Sequence, residues 1–331
     1  MLQSRFLTRA GVRLAAAAVI GLAGVATASA ETKWDMPTPY GDSNFHTQNI
    51  AAFAHEVKEK TGGSLVIQIH SAGSLFKHPE IKNAVRKGLA PIGELLVSRL
   101  SNEDAVFGVD SVPFLAPSYD KAWKLYQASK PALEEKLGEQ GLQLLYAVPW
   151  PPQGIYAKKE LTKVDDMKGL KFRAYNAATE RLAQLAGAVP TQVEVPDIPT
   201  AFSTGRVEAM ITSPSTGANS KAWDFLTHYH DTQAWLPKNM VIVNKAAFDS
   251  LSDAEKAAVL EAAEVAENRG WEASKVETRS KTEVLVENGI TVVQPSDELI
   301  QDLAAIGETM SAEWQEEAGA TGAAVLEAFK N

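Results

Sequence analysis

The stretch from Ser252 to Gly289 constrains the fold more than any other part of the chain. Ser252-Asp253-Ala254-Glu255 is a capping box, in which the serine hydroxyl and the glutamate carboxylate satisfy backbone donors left free at a helix start. No proline follows until Pro295, and Asn288-Gly289 supplies a stop. A helix from Asp253 to about Val286 is roughly 50 Å long at 1.5 Å per residue. One small domain is narrower than that. The helix therefore predicts a molecule of two lobes, with this element lying along both.

The rest of the chain alternates between helical and strand periods, which predicts α/β units. Ile50, Phe53 and Val57 recur at helical spacing and stop at Thr61-Gly62-Gly63, after which Leu65, Ile67 and Ile69 alternate as a strand. Ile81, Ala84 and Val85 form a short helical stripe closed by Gly88. Gly141 to Val148 reads as a strand that runs into Pro149-Trp150-Pro151-Pro152. Prolines in series cannot continue a sheet ladder, so a hinge between lobes is expected there. Beyond it, Leu170, Phe172 and Ala174 share one strand face, and Lys171, Arg173 and Tyr175 the other. Asn176 can cap a helix whose core stripe is Leu182, Leu185 and Ala186. Asp197 can cap a shorter one that Gly205 ends, and Val207, Ala209 and Ile211 alternate as a further strand.

The first thirty residues read differently. Arg5, Arg9 and Arg13 precede an apolar run from Leu14 to Val25, and Ala28-Ser29-Ala30 closes the segment. These are the parts of a secretory signal peptide, and the run is short of the ~20 residues that cross a bilayer. Cleavage before Glu31 and a periplasmic location are expected. Losing three arginines moves the net charge from -9 to about -12. So acidic a chain is a poor partner for nucleic acid or an anionic membrane surface, although a pocket can still be locally positive. The absence of Cys excludes disulfides, thiolate metal sites and cysteine nucleophiles.

Catalytic motifs are missing too: there is no phosphate-binding glycine loop, no nucleophile elbow and no zinc-protease helix motif. His228-x-His230 has no third ligand in view, so solvent-exposed histidines are expected rather than a metal site. Glu134-Glu135 and Asp165-Asp166 mark solvated faces or helix starts. The informative run is Asp165 to Thr179, which puts Arg173 near the C-terminal end of a strand with a helix N-terminus behind it. A guanidinium is a rigid fork matched to a carboxylate, and ligands of open α/β sheets sit at the strands' carboxyl ends. The pattern alone also allows Arg173 to pair with a nearby Asp or Glu.

This run resembles the signature of the solute receptors of tripartite ATP-independent periplasmic (TRAP) transporters, the dicarboxylate and sialic-acid type. Ser71-Ala72-Gly73-Ser74-Leu75 is similar to that family's Gly-x-Leu turn, Val112-Pro113-Phe114-Leu115 to its proline-aromatic loop, and Ala201 to Ala209 to a helix-to-strand passage. The long helix matches one that bridges both lobes. The resemblance implies a two-lobed α/β periplasmic-binding-protein fold (type II-like) with mixed sheets. Residues 31–150 plus 239–278 would form lobe I, and residues 151–238 plus 279–331 lobe II. Strand crossings would join the lobes near Trp150 and Lys238.

It further implies that Arg173 grips a ligand carboxylate, that Asn176 belongs to the same motif, and that Ser213, beside Thr212, takes a ligand-contacting position. Gln153 falls where some members carry a second arginine, which implies one carboxylate plus neutral groups. Phe76-Lys77-His78 departs from an acidic family pattern and makes the first lobe more basic and aromatic. Phe45, Trp150 and Trp235 are candidate apolar walls, and Trp150 at the hinge serves equally as packing or as a wall. Trp123, Trp223 and Trp271 are expected in the core. Lys77, His78, Glu194 and Asn239 complete the candidate set. The implied function is capture of a small organic acid, a monocarboxylate with hydroxyl, keto or aromatic character, for membrane permease subunits, without cofactor or metal. A periplasmic sensor or an enzyme on the same lobes is the alternative.

Overall fold

The structure, a computed structural model, describes residues 31–331. The expected signal peptide lies outside the described residues. The first stretch of chain builds β1 (Thr32–Pro37), α1 (Phe45–Lys60), β2 (Leu65–His70), α2 (His78–Arg86), β3 (Ile92–Leu96), α3 (Tyr119–Gly138) and β4 (Leu142–Pro149). After the proline interruption come β5 (Gly154–Ala157), β6 (Lys171–Ala174), α4 (Ala177–Leu185), β7 (Val189–Gln192), α5 (Ile198–Ser203), β8 (Ala209–Thr212), α6 (Pro214–Asn219) and β9 (His228–His230). The chain returns through β10 (Lys238–Asn244) and α7 (Lys245–Asp249) to α8 (Asp253–Glu287), β11 (Thr291–Val293) and α9 (Asp297–Lys330).

In the first lobe β1 and β2 pair in parallel, while β10 lies between β3 and β4 and runs antiparallel to both. The second lobe has one mixed sheet in the order β11-β9-β5-β8-β6-β7. Phe172 and Arg173, on opposite faces of β6, are both out of solvent, while Lys171 at the strand's start is exposed.

The long helix starts as its capping box predicts. The Ser252 Oγ accepts from the Glu255 amide at 3.3 Å, and a Glu255 carboxylate oxygen accepts from the Ser252 amide at 2.9 Å. Its 35 residues amount to about 52 Å. Near its middle, Trp271 Nε1 donates to the Ala147 carbonyl of β4 at 3.0 Å, and Asn49 of α1 donates to the Ala266 carbonyl at 2.9 Å. Further on, Glu277 accepts from Ser215 of α6 at 2.7 Å, and Leu285 joins the second lobe's core with Tyr156 and Tyr229. One helix thus serves both lobes.

So does α9. Its Leu299 and Leu303 pack with Phe172 and Leu182, whereas its Trp314 and Val325 pack with Leu125 and Leu133 of the first lobe. The expected division placed residues 279–331 wholly with the second lobe; this helix instead straps the two together. Other details also depart from the pattern. Asp197 occupies a cap position but its side chain makes no capping bond, because a 3-10 turn over Val195–Asp197 runs straight into α5. Trp123 is 38% exposed rather than in the core, resting edge-on against buried Trp271. Trp223 is half-buried.

Glycine at position 270 lets α8 approach the hinge strand. A Cβ there would lie 2.3 Å from Val148 Cγ2 and 2.9 Å from Asn49 Nδ2. Helix propensity favours alanine over glycine by about 0.5–1 kcal/mol, but overpacking a core costs about 1–3 kcal/mol. Gly270→Ala should therefore destabilise the protein. Gly138→Ala, at the end of α3 where a Cβ meets nothing within 4 Å, should stabilise it slightly. Urea unfolding of both variants checks the opposite signs, and equal shifts would mean that the close approach is not tight.

Candidate ligand-binding site

Arg173 is 1% exposed at the C-terminal end of β6. Its Nε donates to the Val193 carbonyl at 3.0 Å, and its guanidinium carbon sits 5.1 Å from the centre of the Tyr175 ring. Among the described residues it forms no ion pair, so the carboxylate partner that the sequence left open is not there. Arg173 lines a cavity with about 40 Å³ of water-accessible volume, shared with Tyr40, Arg99, Trp150 and Glu194. Burial lowers the Arg173 pKa to about 10, which leaves it a cation at neutral pH.

Tyr175, which braces that guanidinium, is itself braced. Its hydroxyl accepts from Trp235 Nε1 at 3.2 Å and donates to Gln153 Oε1 at 3.1 Å. The Gln153 amide nitrogen donates to the Pro151 carbonyl at 2.9 Å, which ties the brace to the hinge. Burial raises the Tyr175 pKa, so its ring stays neutral beneath the arginine.

The facing wall is aromatic. Trp150 meets Tyr40 edge-on with ring centres 5.0 Å apart, and Phe45 packs behind Trp150 at 5.5 Å. Asn239 of β10 fixes both walls, because its Oδ1 accepts from Trp150 Nε1 at 2.9 Å and from the Tyr40 hydroxyl at 3.2 Å. Thr212, Ser213 and Thr216 line the floor, where the Ser213 Oγ caps α6 by accepting from the Thr216 amide at 3.1 Å.

Three contacts span the cleft. Glu194 of the second lobe accepts from Arg99 Nη1 of the first at 2.8 Å, and its other oxygen lies 3.4 Å from His78 Nδ1. Asn176 Nδ2 donates to Ser98 Oγ at 2.8 Å. The lobes are therefore closed over the cavity. His78 Nε2 accepts from the Leu96 amide at 3.1 Å, so its proton is on Nδ1 and points at Glu194; burial also lowers its pKa, which keeps the ring neutral. Burial pushes the Glu194 pKa up, but the His78 hydrogen bond and the Arg99 charge overcome that and hold it at about 2.

Of the candidates from the sequence, Arg173, Gln153, Trp150, Thr212, Ser213, His78 and Glu194 line the cavity. Asn239, Phe45 and Trp235 sit directly behind the lining, as supports rather than walls. Two stand apart. Asn176 caps α4 through Thr179 and lines an outer groove, and Lys77 sits at the start of α2 beside a second groove. Tyr40, Leu96, Arg99, Tyr175, Val195, Thr216 and Pro237 are lining residues that sequence reasoning did not select. Arg99 left a signal, being a charged residue three positions after the Leu95-Leu96 end of β3. Tyr175 left one too, on the same strand face as Arg173. Tyr40 left none.

His230 is fully buried, not solvent-exposed as expected: its Nε2 accepts from the Leu161 amide at 2.8 Å, and Nδ1 lies 3.1 Å from the Ile155 carbonyl. Both ring nitrogens are thus engaged in the fold. Among the described residues no group of three or more metal-ligating side chains occurs.

Comparison with known proteins agrees with this geometry. Two extracytoplasmic solute receptors of Bordetella pertussis, both binding pyroglutamic acid, superimpose on the chain. One is 47% identical, with 91% of this chain and 100% of that one covered at a TM-score of 0.90. The other is 45% identical, with 90% and 99% covered at 0.89. A marine metagenome TRAP solute-binding protein specific for pyroglutamate is 42% identical over 91% of this chain and 99% of its own, with a TM-score of 0.89. Residues 39–318 match the bacterial extracellular solute-binding protein family 7, and the chain belongs to that family, the two-lobed solute receptors of TRAP transporters.

Proposed function

We propose that this receptor captures pyroglutamate, or a monocarboxylate of the same size and ring-carbonyl character, and delivers it to TRAP permease subunits in the membrane. The observation that carries this reading is the buried Arg173, which lines the cavity and forms no ion pair of its own among the described residues. A ligand carboxylate there completes a charge-assisted, bidentate pair. The site supplies other groups suited to a small ring with a carbonyl. Trp150 and Tyr40 offer apolar walls, while Ser213, Thr216 and Gln153 offer neutral polar groups. The three receptors that bind pyroglutamate share 42–47% of their residues with this chain over nearly its full described length. No bond is broken in this function, and the family is one of binding proteins rather than enzymes.

Removing one partner of a buried, charge-assisted pair costs ~3–5 kcal/mol. Arg173→Ala should weaken pyroglutamate binding by at least about a hundredfold while leaving the apo protein folded. Calorimetry showing unchanged affinity would remove Arg173 from the site.

A thermal-shift screen tests the ligand class. Pyroglutamate at a hundred times its Kd stabilises the protein by ~2.7 kcal/mol, and it should raise the Tm more than succinate, malate or a phosphate ester does. A dicarboxylate or phosphate ester in first place would overturn the monocarboxylate reading, and loss of that shift in Lys77→Ala would trace it to the outer groove.

We also propose that the chain reaches the periplasm through removal of residues 1–30. The exported protein should have an intact mass that begins at Glu31. Retention of Met1 in the membrane fraction would contradict this.

A further inference from the structure

The cavity contains a second arginine. Gln153 stands where a second arginine was sought from the sequence, but closure of the lobes brings in Arg99 from the turn after β3. Arg99 is not available as a free cation, however. Its Nη1 is engaged by Glu194 at 2.8 Å and by the Tyr175 carbonyl at 3.4 Å. Glu194 also lines the cavity, lies 3.4 Å from His78 Nδ1 on its other side, and is held ionised by these neighbours. His78 and Tyr175 are neutral, as is Tyr40, whose pKa burial raises.

From this arrangement we infer that Glu194 is the specificity determinant that restricts the site to monoanions, by cancelling Arg99 so that the closed cavity presents a single uncompensated cation, Arg173. This rests on the reading of Arg173 as the carboxylate grip. A ligand with one carboxylate satisfies the cavity. A dicarboxylate that placed one end on Arg173 would bring its other end, in so small a space, toward an ionised glutamate. Like charges at close quarters in a desolvated site are strongly selected against, and specificity of this kind is a repulsive device as much as an attractive one. Removing the glutamate charge would release the Arg99 fork toward the cavity and raise its charge by one.

The test compares binding of pyroglutamate, succinate and glutarate by calorimetry in the wild type, Glu194→Gln, Arg99→Gln and the Arg99→Gln/Glu194→Gln double variant, with each fold checked by thermal melting. In Glu194→Gln the ratio of dicarboxylate to pyroglutamate affinity should rise by at least about tenfold. Arg99→Gln leaves the Glu194 charge uncompensated beside the ligand, so it should lose affinity for all three anions. The double variant restores one net cation, and its pyroglutamate affinity should recover toward that of the wild type.

A pair that only ties the lobes together would behave otherwise. Glu194→Gln would then weaken all three ligands in proportion, and the double variant would be no better than Arg99→Gln; either result overturns the inference. A wild type that prefers succinate or glutarate to pyroglutamate overturns it as well. Should Arg173→Ala leave binding intact while the ratio still shifts in Glu194→Gln, the grip has been misplaced but the charge cancellation stands. Poor folding of Arg99→Gln alone leaves the Glu194→Gln ratio as the deciding measurement.

Discussion

A guanidinium held out of water with its outer donors unmatched is costly to keep in a folded protein. Arg173 is 1% exposed and forms no ion pair among the described residues, and much of the surrounding structure manages the cost. The Val193 carbonyl takes one N–H, and the Tyr175 ring lies beneath the charged plane. Tyr175 is fixed in turn by Trp235 and Gln153, whose backbones lie on the two strand crossings between the lobes. The proposed ligand grip is thus tied by hydrogen bonds to the segments that cross between the lobes. On the proposed function, a carboxylate paired with Arg173 would contribute free energy toward holding the lobes together.

The parts of this arrangement that were legible in the sequence are those set by local chemistry. Ser252 and Glu255 start a helix wherever they are placed, and the prolines after Val148 end a strand on any fold. Arg173 at a strand end with Asn176 capping the next helix was readable for the same reason, and family resemblance gave the arginine its role. The rest of the cavity is built by residues that meet only on closure. Tyr40, Arg99 and Glu194 come from three segments, and nothing in their neighbourhoods in the chain announces that Arg99 and Glu194 will pair. Asn176 lies off the lining of the cavity for the converse reason. A motif fixes its place beside Arg173 but not the direction of its amide, which reaches across the cleft to buried Ser98.

Acidic composition and an anion site coexist without conflict once the charges are located. The cation that counts is inside, on a strand end and 1% exposed, where a single charge is felt more strongly than on the surface. The surface carboxylates are screened by salt and solvent and do little to oppose it.

The position of β10 has a consequence for how the molecule is assembled. It is the middle strand of the first lobe's sheet, hydrogen-bonded to β3 on one side and to β4 on the other, yet its residues follow the whole of the second lobe's sheet except β11. A chain emerging from the ribosome N-terminus first therefore has two flanking strands with an empty lane between them, their ladder groups bonded to water, until residues 238–244 appear. The first lobe cannot close its core early. Its long-range pairing makes the two lobes one cooperative folding unit with a slow, late-committing step. Any passage of the chain through a narrow pore before that step would meet an unfolded polypeptide, kept so by topology alone.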